Sequence, residues 1–182
     1  MRKEIWRDVL GDDLSVTLEL AVGPSERPIT AGDAAVRLFD AIAMLEEGVQ
    51  VRSKDDPPAP ELQRLEVKID LLTDLVSSLL ADRIPQGSAV TVSADGLVLS
   101  ACVLSPSCDR IEVYPCHWLA QPVVLELGPI VLRDGACGAS WRCRDPGLRD
   151  AIGRWVFRMH RREVARRRMR DDPRQDVSRR GA

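Results

Sequence analysis

From Leu62 onward the apolar residues of this chain fall into a fixed rhythm. Leu62, Leu65, Ile69, Leu72, Val76 and Leu79 step by three and four residues in turn. That is a heptad, with Leu62, Ile69 and Val76 at position a and Leu65, Leu72 and Leu79 at d. The pattern predicts one helix from Glu61 to about Arg83, with a seam made to meet other helices. Ile and Val at a with Leu at d favour two strands. Leu71, Leu75 and Leu80 lie off the seam and widen the apolar surface, which favours a larger bundle or packing on the chain's own domain. Self-association is therefore expected, with dimer to tetramer left open. A long helix lying on a core is the simpler alternative, because both place apolar residues three and four apart.

Other patterns flank this helix. Leu14 to Leu20 alternates and is rich in strand formers, which predicts a strand. Gly23 to Pro28 breaks it. Asp33 can cap a helix running from Ala34 to about Glu47, with Ala35, Leu38, Ile42 and Leu45 along one face and Gly48 at its end. Ser53 to Pro60 is a polar, proline-rich break, stiff and extended. After Pro85-Gln86-Gly87 the period changes. Short runs at 89–92, 97–103, 110–114, 123–127, 130–133 and 139–143 alternate with turn signals such as Asp95-Gly96 and Asp134-Gly135. Near-regular short strands predict a small antiparallel barrel or sandwich. Pro146-Gly147 leads into a last helix, about Leu148 to Met169, with Leu148, Ile152, Trp155, Val156 and Met159 as its apolar stripe and Phe157 off it. The tail from residue 171 is charged, poor in apolar residues and expected to be disordered.

The expected organisation is thus α+β. Residues 1–60 hold a strand, a helix and a linker, 61–84 the heptad helix, 85–145 the barrel, 146–170 a basic helix and 171–182 a tail. At 182 residues and 45% apolar content, the chain can bury a real core. No apolar run is long enough to span a bilayer, and the first eight residues have no apolar stretch of the signal-peptide kind. A cytoplasmic protein without membrane insertion is expected.

Charge sharpens the division. The net charge is only −2, but residues 1–82 carry 9 basic and 17 acidic side chains, whereas 83–182 carry 17 and 11. Residues 83–141 are nearly neutral, and 142–170 hold 11 arginines against three acidic residues. The positive charge therefore sits on the last helix, where Arg158, Arg161, Arg162 and Arg166 are the candidate basic face. Nucleic-acid binding is the sharp reading of such a helix. A solvated face, favoured at a helix C-terminus by the dipole, is the plain one. No helix-turn-helix and no aromatic RNA-binding strand accompany the charge, which argues against nucleic acid as the partner. The acidic half of one subunit meeting the basic end of another, or of an acidic protein partner, is a third reading.

The candidate chemistry is sparse. Cys102, Cys108, Cys116, Cys137 and Cys143 include no CxxC pair, so convergent metal ligation is not indicated. An odd count without a secretory signal argues against a disulfide framework. Two histidines and no GxSxG, P-loop or HExxH leave no catalytic set. No enzyme, no metal and no obligate cofactor are expected.

Three segments in order carry a resemblance. They are Leu65-Glu66-Val67-Lys68-Ile69-Asp70-Leu71-Leu72, then Val92-Ser93-Ala94-Asp95-Gly96-Leu97, and Trp155-Val156-Phe157-Arg158-Met159-His160-Arg161-Arg162. Together, over about residues 61–168, the chain resembles the PilZ domain family. The likeness is to its atypical tetrameric type from xanthomonad-like bacteria. The resemblance implies a six-stranded β-barrel, helices outside it that assemble subunits, and cyclic di-GMP signalling. Standard members grip the dinucleotide with RxxxR and with D/N-x-S-x-x-G on the barrel. Here the second motif reads Thr91-Val92-Ser93-Ala94-Asp95-Gly96, so Ser93 and Gly96 match and Thr91 replaces the Asp or Asn. RxxxR is missing. Its nearest mimic is Arg64 to Lys68, on the heptad helix, and lysine lacks the planar fork of arginine. The implied candidates for cyclic di-GMP are Ser93, Gly96, Thr91, Arg64 and Lys68. A bare hairpin turn explains Asp95-Gly96 equally well. The expected function is a non-enzymatic, oligomeric adaptor or receptor acting through protein contact, with dinucleotide binding non-standard or absent.

Overall fold

The computed structural model describes residues 3–48, 60–80, 84–143 and 145–171. The expected proline-rich linker, the end of the heptad helix at 81–83 and the tail from 172 lie outside the described residues. A 3-10 turn, Lys3–Trp6, runs into α1, Arg7–Leu10. Strand β1 follows at Ser15–Pro24, then α2 at Gly32–Gly48 and α3 at Pro60–Leu80. The remaining strands are β2 Gly87–Ser93, β3 Gly96–Leu99, β4 Arg110–Val113, β5 Val123–Glu126, β6 Val131–Arg133 and β7 Ala136–Ser140. Helix α4 closes the order at Pro146–Asp171.

The strands form one antiparallel sheet in the order β5-β4-β1-β2-β3-β7-β6. This corrects the expected barrel in two ways. Among the described residues the sheet has seven strands where six were expected, and it does not close. Leu127 and Trp141 form only an isolated bridge near one end, so β5 and β6 remain edges. The additional strand is β1, which lies between β2 and β4 and pairs with β2 over seven residues, Ser15 opposite Ser93 to Ala21 opposite Gly87. The sheet thus takes one of its interior strands from outside the 85–145 segment. Local pattern cannot show this, because strand pairing across 70 residues is a tertiary choice.

One face of the sheet is covered by α2 and α4. Val16, Leu20, Val22, Val90, Val92, Leu97, Leu99, Ile111 and Leu125 meet Ala35 and Phe39 from α2 and Leu148, Ile152, Trp155 and Val156 from α4. Phe39 packs on Trp155 with ring centroids 5.7 Å apart. The stripe expected on α4 is the one buried, and Phe157 stands exposed beside it. On α2 the buried face is turned, with Phe39 inward and Leu45 58% exposed. Phe39 is the residue that fills the space against Trp155, and a bulky ring wins that position over leucine.

The other face of the sheet carries a second, smaller core. Trp6, Val9 and Leu10 pack on Val98 and Ala136. Arg133 lies over the Trp6 ring at 5.0 Å and grips Asp8 with two bonds of 2.7 Å. Those hydrogen bonds hold the Asp8 carboxyl below the usual carboxylate range. The 3,4 spacing of Trp6, Val9 and Leu10 is the signal for this element, too short to register as a helix from sequence.

Candidate functional site

The Ser93 to Gly96 turn joins β2 to β3. Ser93 has no exposed surface, and its hydroxyl serves the turn itself. The backbone N–H groups of Asp95 and Gly96 donate to Ser93 Oγ at 3.1 and 3.2 Å, and the hydroxyl donates to the Gly96 carbonyl at 3.4 Å. Trp141 Nε1 donates to the Ser93 carbonyl at 3.2 Å. Gly96 is equally committed. A Cβ there would lie 2.4 Å from the Val9 carbonyl oxygen and 2.7 Å from that of Ala139. The glycine lets α1 and β7 approach β3 backbone to backbone. Thr91 is buried at 6% exposure, and its hydroxyl shares a 2.8 Å bond with that of Thr17 across the strand pair.

The polar rim of the turn is tied down as well. Arg149 at the start of α4 reaches Asp95 at 2.8 Å and Asp13 at 3.1 Å. The turn, the N-terminal segment and α4 are thereby joined by one guanidinium. Ser93, Gly96 and Thr91 are brought together, but as a sealed hairpin covered by α1. Arg64 and Lys68 are not brought to them. Both are exposed on α3, and no hydrogen bond or ion pair joins them to the turn.

Helix α3 is formed over 21 residues. Every seam residue is exposed: Leu62 48%, Leu65 53%, Ile69 52%, Leu72 61%, Val76 52% and Leu79 71%. Val67, Leu71 and Leu75 are exposed too. Among the described residues α3 has no substantial packing partner. The reading of α3 as a helix lying on its own core is thus overturned for the single chain. Apolar surface of this size is unfavourable in water.

The basic helix is largely answered by acids of its own chain. Arg154 pairs with Asp40 at 3.2 Å and Arg162 with Glu46 at 2.7 Å, and Arg158 donates to the Phe39 carbonyl at 3.3 Å. These pairs run α2 and α4 side by side in the same direction. The acidic front and basic back of the sequence therefore meet inside one molecule. Arg161 and Arg166 point outward without an ion-pair partner among the described residues.

Two hollows mark the surface. One, about 430 Å³, lies where the chain enters β2, lined by Glu19, Ile84, Pro85, Tyr114, Cys116 and His117. The other, about 210 Å³, lies between the starts of α2 and α4, beside Trp141 and Asp145. Burial pushes the Cys116 thiol up to about 11. Burial, and then the Glu112 carboxylate, raises the Tyr114 hydroxyl. Among the described residues no three His, Cys, Asp or Glu side chains converge as metal ligands, and no helix is long and apolar enough to cross a membrane.

Comparison with known proteins bears on this arrangement. Residues 39–169 match the family model described as "Atypical PilZ domain, cyclic di-GMP receptor". No curated protein matches the sequence. Among solved structures, the fold is similar to a pathogenic protein from Xanthomonas campestris. The TM-score is 0.71 and the identity 22%, over 90% of this chain and 97% of that one. That protein is described as a new tetrameric PilZ domain self-assembled via an unusual helical bundle.

Proposed function

This chain belongs to the atypical PilZ domain family, and from that premise we propose that it is a non-enzymatic, cytoplasmic signalling adaptor of cyclic di-GMP pathways, assembled through α3. The single observation that carries the reading is the exposed apolar surface of α3. A monomer would leave nine large apolar side chains of one helix in water, and burying them at about 25 cal/mol per Å² supplies the drive to associate. The width of that surface, with Leu71 and Leu75 beside the a/d seam, suits a bundle of more than two helices. A tetramer is the expected order, in line with the bundle described for the Xanthomonas campestris protein. The acidic α2 and basic α4 are engaged with each other, which leaves α3 as the surface for subunits or a protein partner.

Cyclic di-GMP belongs to the reading as a regulator bound outside the standard mode. Ser93 and Gly96 serve the turn, and Arg64 and Lys68, exposed on α3, make no hydrogen bond or ion pair with it. Light scattering on the full chain tests assembly. Ile69→Asp with Leu72→Asp is expected to reduce an oligomer to monomer, and a monomeric parent chain overturns the reading. Calorimetry on the same sample tests the ligand. Binding of cyclic di-GMP that survives Arg64→Ala with Lys68→Ala agrees with a non-standard mode, whereas loss of binding in that variant restores the standard one. No heat at high micromolar ligand removes the dinucleotide from the reading.

A further inference from the structure

The sheet has a gap on one side of β1. Tyr114 N donates to the Ala21 carbonyl at 3.1 Å, and Ser25 N, just past the end of β1, donates to the Arg110 carbonyl at 3.2 Å. Ala21 and Ser25 thus turn their main chain towards β4. Glu19 and Thr17 belong to the same alternate set and turn the same way, because the N–H and C=O of a strand residue point to one side. Their neighbours Val16, Leu18 and Leu20 turn to β2, in register with Val92, Val90 and Ser88. Strand β4 does not reach Glu19 or Thr17. Its register with β1 covers only Val22 to Pro24. Pro115, with no N–H to extend a ladder, follows its end, and the chain then turns at His117 and Trp118. Among the described residues no other main chain bonds to Glu19 or Thr17 on this side. The space left open is the hollow of about 430 Å³, walled by Glu19, Leu20, Ala21, Ile84, Pro85 and Leu119, a size common among ligand sites. Both outer edges of the sheet are guarded. Val124 of β5 exchanges two bonds with Thr30, at 3.0 and 2.9 Å. Strand β6 is three residues long, with Arg133 held by Asp8. Among the described residues the β1 gap has no such device, and Thr17 and Glu19 stand exposed beside it.

We propose that this gap docks an extended segment of a protein partner, which adds to β1 as an antiparallel strand in the place that β4 vacates. The unpaired N–H and C=O groups of a strand edge are complementary to another extended backbone. The side chains of β1 state which segment fits. Leu18 and Leu20 face the core side of the sheet, and Glu19 faces the outer side. A segment lying opposite them sends its own side chains to the same two faces in turn. The residue opposite Glu19 meets a carboxylate and is basic, since opposite charges across a strand pair are favourable and like charges are not. That residue also exchanges both main-chain bonds with Glu19. The residues on either side of it turn to the face of Leu18 and Leu20 and are apolar, because that face leads into the core. The partner segment therefore reads apolar, basic, apolar. The site is separate from α3 and from the Ser93–Gly96 turn, and it requires neither assembly nor cyclic di-GMP.

The probe is a short capped peptide, labelled with fluorescein, in which valine alternates with arginine. Fluorescence anisotropy with the full chain is expected to show saturable binding. N-methylation of the arginine amides, which point at β1, should abolish it. Methylation of the valine amides, which point away, should not. Amide hydrogen exchange resolved to single residues should show new protection at Thr17 and Glu19 when the peptide is added. Glu19→Arg, a change at an exposed position that leaves the strand edge intact, should weaken the valine–arginine peptide several-fold and strengthen a valine–glutamate one. No binding at millimolar peptide overturns the proposal. So does binding that is indifferent to which amides are methylated, binding unaffected by Glu19→Arg, or protection that arises on β6 or α3 in place of β1.

Discussion

At the scale of single residues, the turn that resembles a ligand motif is explained by packing. Ser93 satisfies two backbone donors and one acceptor within three residues of itself. Gly96 has carbonyl oxygens on two sides where a side chain would begin. Ala at position 96 would push α1 and β7 away from β3 together. We expect Gly96→Ala to cost about 2 kcal/mol or more in urea unfolding, as overpacking against backbone does. An unchanged midpoint would show that α1 docks loosely. The sequence made the turn legible through Asp95-Gly96 between two strand-like runs. It could not show that the glycine answers to Val9, because that contact spans 87 residues and depends on how α1 crosses the sheet.

At the scale of elements, α1 is the part that sequence pattern missed and α3 the part it caught best. The 3-10 turn and α1 together span eight residues, too few to stand alone in water. They are held by the Trp6 ring, the small core beneath it and the Asp8–Arg133 pair. The sign of the pH effect follows from that pair. The Asp8 carboxyl titrates below its ordinary range when folded. Its contribution is therefore complete above the unfolded value, about pH 4, and is lost as pH falls through the lowered folded value. Asp8→Asn should lower the melting temperature at pH 7, and the gap from the parent chain should close in strong acid. A gap that stays constant down to pH 2 would contradict this assignment. Helix α3 was legible because its rhythm is local and long. The burial of α2 was only half legible, since Leu38 or Phe39 could each face inward until Trp155 is in place.

At the scale of the whole molecule, the charge distribution changes its meaning once the fold is known. As a linear pattern it suggests an acidic surface and a basic surface that await partners. In the folded chain Asp40 and Glu46 lie against Arg154 and Arg162, and Asp13 and Asp95 against Arg149. The field that nucleic acid would feel is reduced to an outward stripe containing Arg161 and Arg166. Duplex DNA is expected to show no retardation with this chain at about 150 mM salt, with at most weak, steeply salt-sensitive binding at low salt. Tight binding at physiological salt would return nucleic acid as the leading partner.

What the sequence determined by itself were the features set by short-range periodicity. These include the existence of helix α3 with its apolar residues three and four apart, the existence of most strands, the inward stripe of α4 and the motif order shared with the PilZ family. Each rests on residues a few positions apart, where side-chain direction follows from backbone geometry alone. Only the tertiary structure decided the place of β1 between β2 and β4 in an open seven-stranded sheet and the sealing of the Ser93–Gly96 turn by α1. It also decided that α2 acids neutralise α4 arginines. All of these join distant segments, and their partners are chosen by what the folded core leaves room for, which no local pattern encodes.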